Sequence, residues 1–458
     1  MITRIKIDGF KSFRNFEMEF TPLTVVAGSN ASGKSNLFDA LQLLARLAEV
    51  DLKTAFGEQR GSAIELFTQY GEDQYADVMT FEVEMLLNRR VKDNWGGEAE
   101  LKYTRLRYEL RINRISAKNG MANLVVNYEA LLNLKHDEDS WVKTHIPRET
   151  LEHWRPKVTT GRRGTPYIST EVSSGAIRIS QDGKQGGKST PANVAGQTVL
   201  SGTNSVDFPH VFACKEEMRS WKFLQLNPAD LREPTRQEIN ASDSITSTGK
   251  NLASALHRIQ QDDNAVLAEM SRTLNRFLPD FTEIVIHDDK ANKQFMIGLL
   301  SEDGIEFSSR VLSEGTLRLL ALCILQYDSE HKSLLCFEEP ENGIHPNRIE
   351  SMMRLLKDLS VNFYDVDTFL RQVIVNTHSP IVVGTINQWE NNCDVSIWLS
   401  RMTTLVTEIR GVRQKIRVSK LLPVANKAQF SLQFTEVDRK LTLAAVQDYL
   451  ATAYFDKK

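Results

Sequence analysis

The segment Gly28-Ser29-Asn30-Ala31-Ser32-Gly33-Lys34-Ser35 fits the pattern G-x-x-x-x-G-K-[ST] at every position. Residues of these types at this spacing bind phosphate. The glycines let the backbone wrap tightly, so that successive N–H groups point at one anion. A helix starting where the loop ends adds the partial positive charge of its N-terminus. Lys34 is then expected to reach the β- and γ-phosphates of ATP and the Ser35 hydroxyl to coordinate Mg2+, with Asn36 closing the cradle. A second constellation, Ser333-Leu334-Leu335-Cys336-Phe337-Glu338-Glu339-Pro340, ends an apolar run in two carboxylates. Glu338 has the chemistry to hold Mg2+, directly or through water, and Glu339 to polarise an attacking water.

Two further motifs follow a fixed order around these. Leu312-Ser313-Glu314-Gly315-Thr316 stands just before an apolar helical run from Leu317 to Gln326, and Ser313 lies 25 positions before Glu338. Ser313 suits a helix N-cap, and the helix start offers free N–H groups. Val373-Ile374-Val375-Asn376-Thr377-His378 is another buried strand, ending in a histidine 40 positions after Glu338. Pro340-Glu341-Asn342-Gly343-Ile344-His345-Pro346 fills the place between.

These residues need elements to hold them. Ile5 and Ile7 alternate with polar residues, and Leu23–Ala27 is a short buried run, so residues 1–27 read as strands. Leu37, Leu41, Leu44 and Ala48 mark one stripe of a helix over 34–48. Residues 78–134 alternate as an antiparallel meander. Residues 250–277 return to helical spacing, followed by strands near 283–287, 294–300 and 305–310. Between them, 159–205 is rich in Gly, Ser and Thr and reads as an insertion with long mobile loops.

The expected organisation follows. The fold class is α/β, with residue 34 and residues 313–378 meeting in one site. Residues 1–77 and 246–410 form the two parts of a split nucleotide-binding domain. A β-rich lobe, 78–245, is inserted between them, and 411–458 extends the C-terminus.

Composition bounds the partners. The chain has 458 residues with 56 Lys+Arg and 59 Asp+Glu, net charge −3, so any contact with nucleic acid must be local. Basic residues gather in two stretches: Arg162, Arg163, Arg178, Lys184 and Lys188, then Arg410, Arg413, Lys415, Arg417 and Lys420. Each stretch reads either as a solvated face or as a strip for DNA or a protein partner. Cys214, Cys323, Cys336 and Cys393 form no CxxC pair, which argues against a disulfide framework or zinc cluster and suits a reducing cytoplasm. No apolar run is long enough to span a membrane.

With the four motifs in this order, the chain resembles ABC-type ATPases of the RecF/SMC/OLD group. The opening Ile5-Lys6-Ile7-Asp8-Gly9-Phe10-Lys11-Ser12-Phe13 is similar to their first strand and turn. Trp221-Lys222-Phe223 with Asn227-Pro228, Leu231-Arg232-Glu233-Pro234 and Gly249-Lys250-Asn251-Leu252 resemble segments of stand-alone bacterial members. The resemblance implies cofactors ATP and Mg2+ and a homodimer or higher homo-oligomer formed through the ATP sites. In it, residues 28–36, Glu338, Glu339 and His378 of one subunit face Ser313, Glu314 and Gly315 of the other. Catalysis would fall to Lys34, Glu339 and the switch residue His378, and the metal to Ser35 and Glu338.

Departures refine this. The signature reads Ser-Glu-Gly, there is no long heptad run for a coiled-coil arm, and the roughly fifty residues after 410 are too few for a nuclease module. The glutamine loop of such proteins is sought at Gln69 or Gln74. The resemblance implies an ATP-driven sensor and scaffold for a separately encoded nuclease or toxin in bacterial anti-phage defence. The alternative is a RecF-like DNA-binding repair ATPase.

Overall fold

A computed structural model describes residues 1–116, 122–157, 166–171, 173–180, 189–237, 245–263, 265–389, 393–409, 411–424 and 449. Strands β1 (Ile2–Asp8), β2 (Phe16–Glu19) and β3 (Leu23–Ala27) lead into helix α1 (Lys34–Leu47) and the short α2 (Leu52–Gly57). Small hairpins β4 (Gln69–Gly71) with β5 (Gln74–Tyr75) and β7 (Arg90–Lys92) with β8 (Glu98–Glu100) flank β6 (Val78–Leu86). Then come β9 (Arg105–Ser116), β10 (Ala122–Asn133), α3 (Ser140–His145), α4 (Leu151–Trp154), β11 (Ile168–Glu171), β12 (Ala176–Ile179) and β13 (Ser189–Pro191). Helix α5 (Pro209–Arg219) precedes β14 (Lys222–Leu224), α6 (Pro228–Arg232), β15 (Thr235–Arg236), α7 (Leu252–Asp262) and α8 (Val266–Phe277). Strands β16 (Phe281–Asp289), β17 (Gln294–Ser301) and β18 (Glu306–Ser308) run to α9 (Glu314–Tyr327) and β19 (Leu334–Glu338). The chain continues through α10 (Ile349–Leu359), β20 (Gln372–Thr377), α11 (Pro380–Asn387), β21 (Val395–Ile409) and β22 (Val412–Pro423).

Two large sheets organise these elements. One has eight strands in the order β13-β12-β11-β10-β9-β6-β1-β2. The other has six, in the order β14-β19-β20-β3-β21-β22. Pairs β14–β19, β19–β20, β20–β3 and β3–β21 are parallel, and only the β21–β22 hairpin is antiparallel. A smaller sheet of β15, β17, β16 and β18 packs with α7 and α8.

The apolar runs of β3, β19 and β20 do not alternate with polar residues because both faces of the parallel sheet are covered. Val26, Leu334, Cys336 and Ile374 point into one core with α1, α5 and the eight-stranded sheet. Leu23, Val25, Leu335, Phe337, Val373 and Val375 point into the other, with α7, α8, α9 and α10. Helix α9 is buried from Gly315 to Leu325, so its sequence is apolar all round rather than striped.

The meander read over 78–134 is present as neighbouring strands β6, β9 and β10. The Gly/Ser/Thr-rich stretch differs from its reading as loops. Its described residues include β11, β12 and β13, which continue the eight-stranded sheet, with Ile168, Ile177 and Ile179 buried in the core. Sparse isoleucines at alternating positions suffice there because the sheet already offers an edge. Arg178 pairs with Glu171 at 2.9 Å. Arg162, Arg163, Lys184, Lys188 and Arg410 lie outside the described residues, as does the C-terminal extension apart from 411–424 and Tyr449. Strand β14, within the 78–245 stretch, lies in the parallel sheet, and β1 and β2 lie in the eight-stranded one. The helical spacing of 250–277 resolves into α7 and α8, with the Asp263 side chain accepting from the Ala265 amide at the break.

Candidate functional site

The site is built at the ends of four adjacent parallel strands. Registers place Leu224 opposite Phe337, Glu338 opposite Asn376, and Thr377 opposite Ala27. The residues that follow these strands are therefore brought together: Gln225 after β14, Glu339 after β19, His378 after β20 and Gly28 after β3. This is where parallel α/β sheets bind ligands, outside the carboxyl ends of the strands.

After β3 the chain turns through Gly28–Gly33 and enters α1 at Lys34. Gly33, at φ 93°, stands in the left-handed region, and a β-carbon there would come within 1.7 Å of Ser419 Oγ. No larger residue fits without displacing β22. The Ser400 hydroxyl donates to the Ser32 carbonyl at 2.9 Å, and Asn36 Nδ2 donates to Ser12 Oγ at 2.6 Å. The loop is thus held from outside by β21 and by the turn after β1.

Lys34 is buried, and its ammonium donates to the carbonyls of Gly28 (2.7 Å) and Ser29 (2.9 Å). Burial lowers its pKa, opposed by the carboxylates of Glu339, Glu341 and Glu338. Ser35 Oγ lies 3.4 Å from Glu338 Oε1. Both line a cavity of about 200 Å3 together with Asp39, Gln42, Arg60 and Gln225. A hydroxyl and a carboxylate oxygen facing one space are hard oxygen donors of the kind Mg2+ takes, so the residues fit that ion.

Glu339 holds a left-handed backbone at φ 47°, fixed by its amide donating to the Asn376 carbonyl at 2.8 Å. One carboxylate oxygen meets His378 Nδ1 at 2.9 Å, and the other accepts from Asn342 Nδ2 at 2.8 Å. Both groups remain accessible to solvent, at 33% and 42% side-chain exposure, so they can meet a ligand. Behind them Glu341 is buried and accepts from the Thr377 hydroxyl, and burial raises its pKa.

Ser313 caps α9, accepting from the Thr316 amide at 3.2 Å. Helix α9 begins at Glu314, three residues before the start read from its apolar run, because this cap supplies the first turn. A β-carbon at Gly315 would lie 3.0 Å from the Gly343 carbonyl, so the signature loop packs on the segment that follows Glu341. Among the described residues, no hydrogen bond or ion pair joins Ser313–Gly315 to residues 28–36.

Two site residues escaped the sequence reading. Gln69 and Gln74 lie in the β4–β5 hairpin, where Gln74 accepts from Gln414 Nε2, and neither lines the cavity. Gln225 does. It lies between Trp221-Lys222-Phe223 and Asn227-Pro228, which the sequence reading singled out, but only the pairing of β14 beside β19 brings this glutamine to the cavity with Ser35 and Glu338. Tyr449 is the other: its side chain lies by the Gly28 backbone and Glu341, and burial raises its pKa. Nothing in the sequence around 449 marks it.

The strand order, the phosphate loop between β3 and α1, and the acidic and histidine strand ends define an ABC-type P-loop ATPase of the RecF/SMC/OLD group. Residues 23–384 match the family described as "AAA domain, putative AbiEii toxin, Type IV TA system", and the chain belongs to that family. No curated protein matches it. Among solved structures it is similar to an SMC head bound to the C-winged helix domain of ScpA, at 14% identity and TM-score 0.45, covering 91% of this chain and 98% of that one. It is also similar to the SMC head domain from Thermotoga maritima, at 15% identity and TM-score 0.40, covering 93% and 99%. A third is an SMC head with an extended coiled coil bound to the C-terminal domain of ScpA derived from Pyrococcus furiosus, at 11% identity and TM-score 0.40, covering 91% and 96%. Among the described residues no helix is long and apolar enough to cross a membrane.

Proposed function

We propose that two copies of this chain clamp two ATP molecules head-to-tail and hydrolyse them, and that this cycle controls a separately encoded effector in bacterial anti-phage defence. The observation that carries the clamp is the split of the motifs. Phosphate loop, acidic strand end and histidine converge, whereas Ser313–Gly315 is capped and ready at a helix N-terminus with no bond to that loop. A second copy supplies a partner for each half.

In this reading the backbone amides of 28–36 and the Lys34 ammonium hold the phosphates. Lys34 exchanges its two carbonyl partners for phosphate oxygens of higher charge. Ser35 and Glu338, with Gln225 beside them, would hold Mg2+, which would supply positive charge against the phosphates. Glu339 orients and deprotonates the attacking water, and His378 holds the Glu339 carboxylate in place and senses the γ-phosphate. The N–H groups at the start of α9 face the γ-phosphate from the partner copy. The family's description as a toxin of a toxin–antitoxin system supports a defence role. The basic residues of β22 favour, as a second reading, an ATPase that acts on DNA.

The reading is tested by light scattering of the Glu339→Gln variant with Mg2+ and ATP. A doubled mass supports the clamp. A mass unchanged by ATP rejects it.

A further inference from the structure

At the carboxyl ends of β14, β19 and β20 the parallel sheet sets three polar side chains in one row. Register puts Glu338 beside Asn376 and Asn376 beside Val26, and Gln225, which follows β14, comes level with Glu338. Val26, Cys336 and Ile374 belong to the core under α1, whereas Val373 and Val375 belong to the core on the other face. Alternation therefore aims Glu338 and Asn376 toward α1 and turns Thr377 away from it, where its hydroxyl meets Glu341. The contacts agree: Glu338 Oε1 lies 3.4 Å from Ser35 Oγ in the first turn of α1, and Gln225 lines the cavity with both.

Asn376 is the unusual member of the row. It is 2% exposed, and its side-chain oxygen is buried with no donor to meet it. Among the described residues, three other amide side chains bury their oxygen without a partner: Asn113, Gln326 and Gln414. Each of those belongs to a residue that is only partly buried. The Asn376 backbone is already engaged, its carbonyl accepting from the Glu339 amide at 2.8 Å. A buried acceptor without a donor costs free energy, and a valine or isoleucine, as at the preceding positions of β20, would avoid that cost. The oxygen therefore marks a place where a donor arrives with a ligand.

The neighbours say which ligand. Ser35 and Glu338 fit Mg2+, an ion that keeps several of its waters when it binds to protein. Those waters are donors and need acceptors around them. Asn376 stands one strand spacing, about 4.8 Å, from Glu338, an interval that a single water bridges. The other donor close by, the Lys34 ammonium, is turned to the carbonyls of Gly28 and Ser29 and makes no bond to Asn376.

We propose that Asn376 is a positioning residue of the metal site, its side-chain oxygen accepting from a water of the Mg2+ shell on the side of Glu338 opposite Gln225. This rests on the reading of Ser35 and Glu338 as the metal ligands, and the test separates the two. Mn2+ stands in for Mg2+. Its binding to the full chain holding a non-hydrolysable ATP analogue is followed by loss of the free-ion EPR signal, with protein in excess over nucleotide. Asn376→Leu keeps the size of the side chain and removes the acceptor. It should bind Mn2+ about 10- to 100-fold more weakly, the usual effect of losing a group that supports a metal's ligands. Its affinity for the analogue in EDTA and its melting temperature without ligands should not fall, because a buried acceptor without a donor is gone. Asn376→Asp keeps an acceptor oxygen and should bind Mn2+ at least as tightly as wild type. If Asn376→Leu does not fold, Asn376→Ala carries the same expectation for Mn2+. Wild-type Mn2+ affinity in Glu338→Ala overturns the metal site and this proposal together. Weak binding in Glu338→Ala beside wild-type binding in Asn376→Leu overturns this proposal alone. So does an Asn376→Leu chain that loses analogue affinity in EDTA as far as it loses Mn2+, since such a residue merely shapes the loop.

Discussion

Glu339→Gln is the perturbation whose effect follows most directly from the geometry. The substitution keeps the size of the side chain and removes its charge and basicity. Glutamine can still accept through its one carbonyl oxygen, so it can keep the bond to Asn342 Nδ2 or the contact with His378 Nδ1, at 2.8 Å and 2.9 Å in the wild type. The backbone stays pinned, because the residue-339 amide bonds to the Asn376 carbonyl whatever the side chain. Neither carboxylate oxygen bonds to residues 28–36, so the phosphate cradle is left intact. What disappears is proton abstraction, a contribution of about 10² to 10⁴ in rate, or about 3 to 5 kcal/mol of barrier. Phosphate release should therefore fall by that factor, while ATP affinity stays within about threefold of wild type or tightens, since one negative charge near the γ-phosphate is gone. Steady-state phosphate release and fluorescent-nucleotide titration read the two quantities. Hydrolysis within tenfold of wild type would refute the assignment of Glu339 as the base.

Further outcomes are expected at neighbouring positions. Lys34→Ala should abolish nucleotide binding, read by the same titration, because the buried ammonium is the cation aimed into the loop. Gln225→Ala should lower hydrolysis about tenfold or more and raise the Mg2+ concentration for half-maximal rate, whereas Gln69→Ala should change neither. Gly33→Ala should lose nucleotide binding even where the fold survives, since its β-carbon displaces Ser419, and Ser419→Gly in the same chain should restore part of it.

His145 supplies a pH test of how α3 docks on the core. Its Nδ1 lies 2.9 Å from the Cys393 carbonyl, and burial depresses its pKa from 6.5 to about 4. The unfolded chain takes up a proton that the folded chain refuses, so stability is full above about 6.5 and falls as pH drops toward about 4. The fall is at most about 3 kcal/mol. Glu129, whose buried carboxyl is pushed up to about 7, acts in the opposite sense. The melting temperature of wild type relative to His145→Gln should therefore drop between pH 7 and pH 5, and parallel profiles would count against the burial argument.

What the sequence made legible follows the locality of its signals. The phosphate loop is contiguous, and its chemistry is written in eight adjacent residues. Ser313 could be placed because it stands just before an apolar run, and Glu339 and His378 because each follows one. Gln225 could not, because its role depends on β14 lying beside β19, and a three-residue strand in a parallel sheet leaves no periodic trace. The strands β11–β13 were hidden by composition: their few buried isoleucines extend a sheet formed by distant residues. Tyr449 was silent for the same reason, its contact with Gly28 spanning nearly the whole chain.

The central claim is that each ATP site is shared between two copies, and mixing two inactive variants tests it most directly. Lys34→Ala disables the phosphate loop and leaves the signature, and Ser313→Arg blocks the start of α9 and leaves the loop. Neither alone should hydrolyse ATP. Mixed in equal amounts, they form one intact composite site per mixed dimer, and phosphate release should recover to roughly a quarter of the wild-type rate, from half the dimers with one of two sites restored. A mixture as inactive as its components, under conditions where mixed dimers are shown to form, would contradict the account.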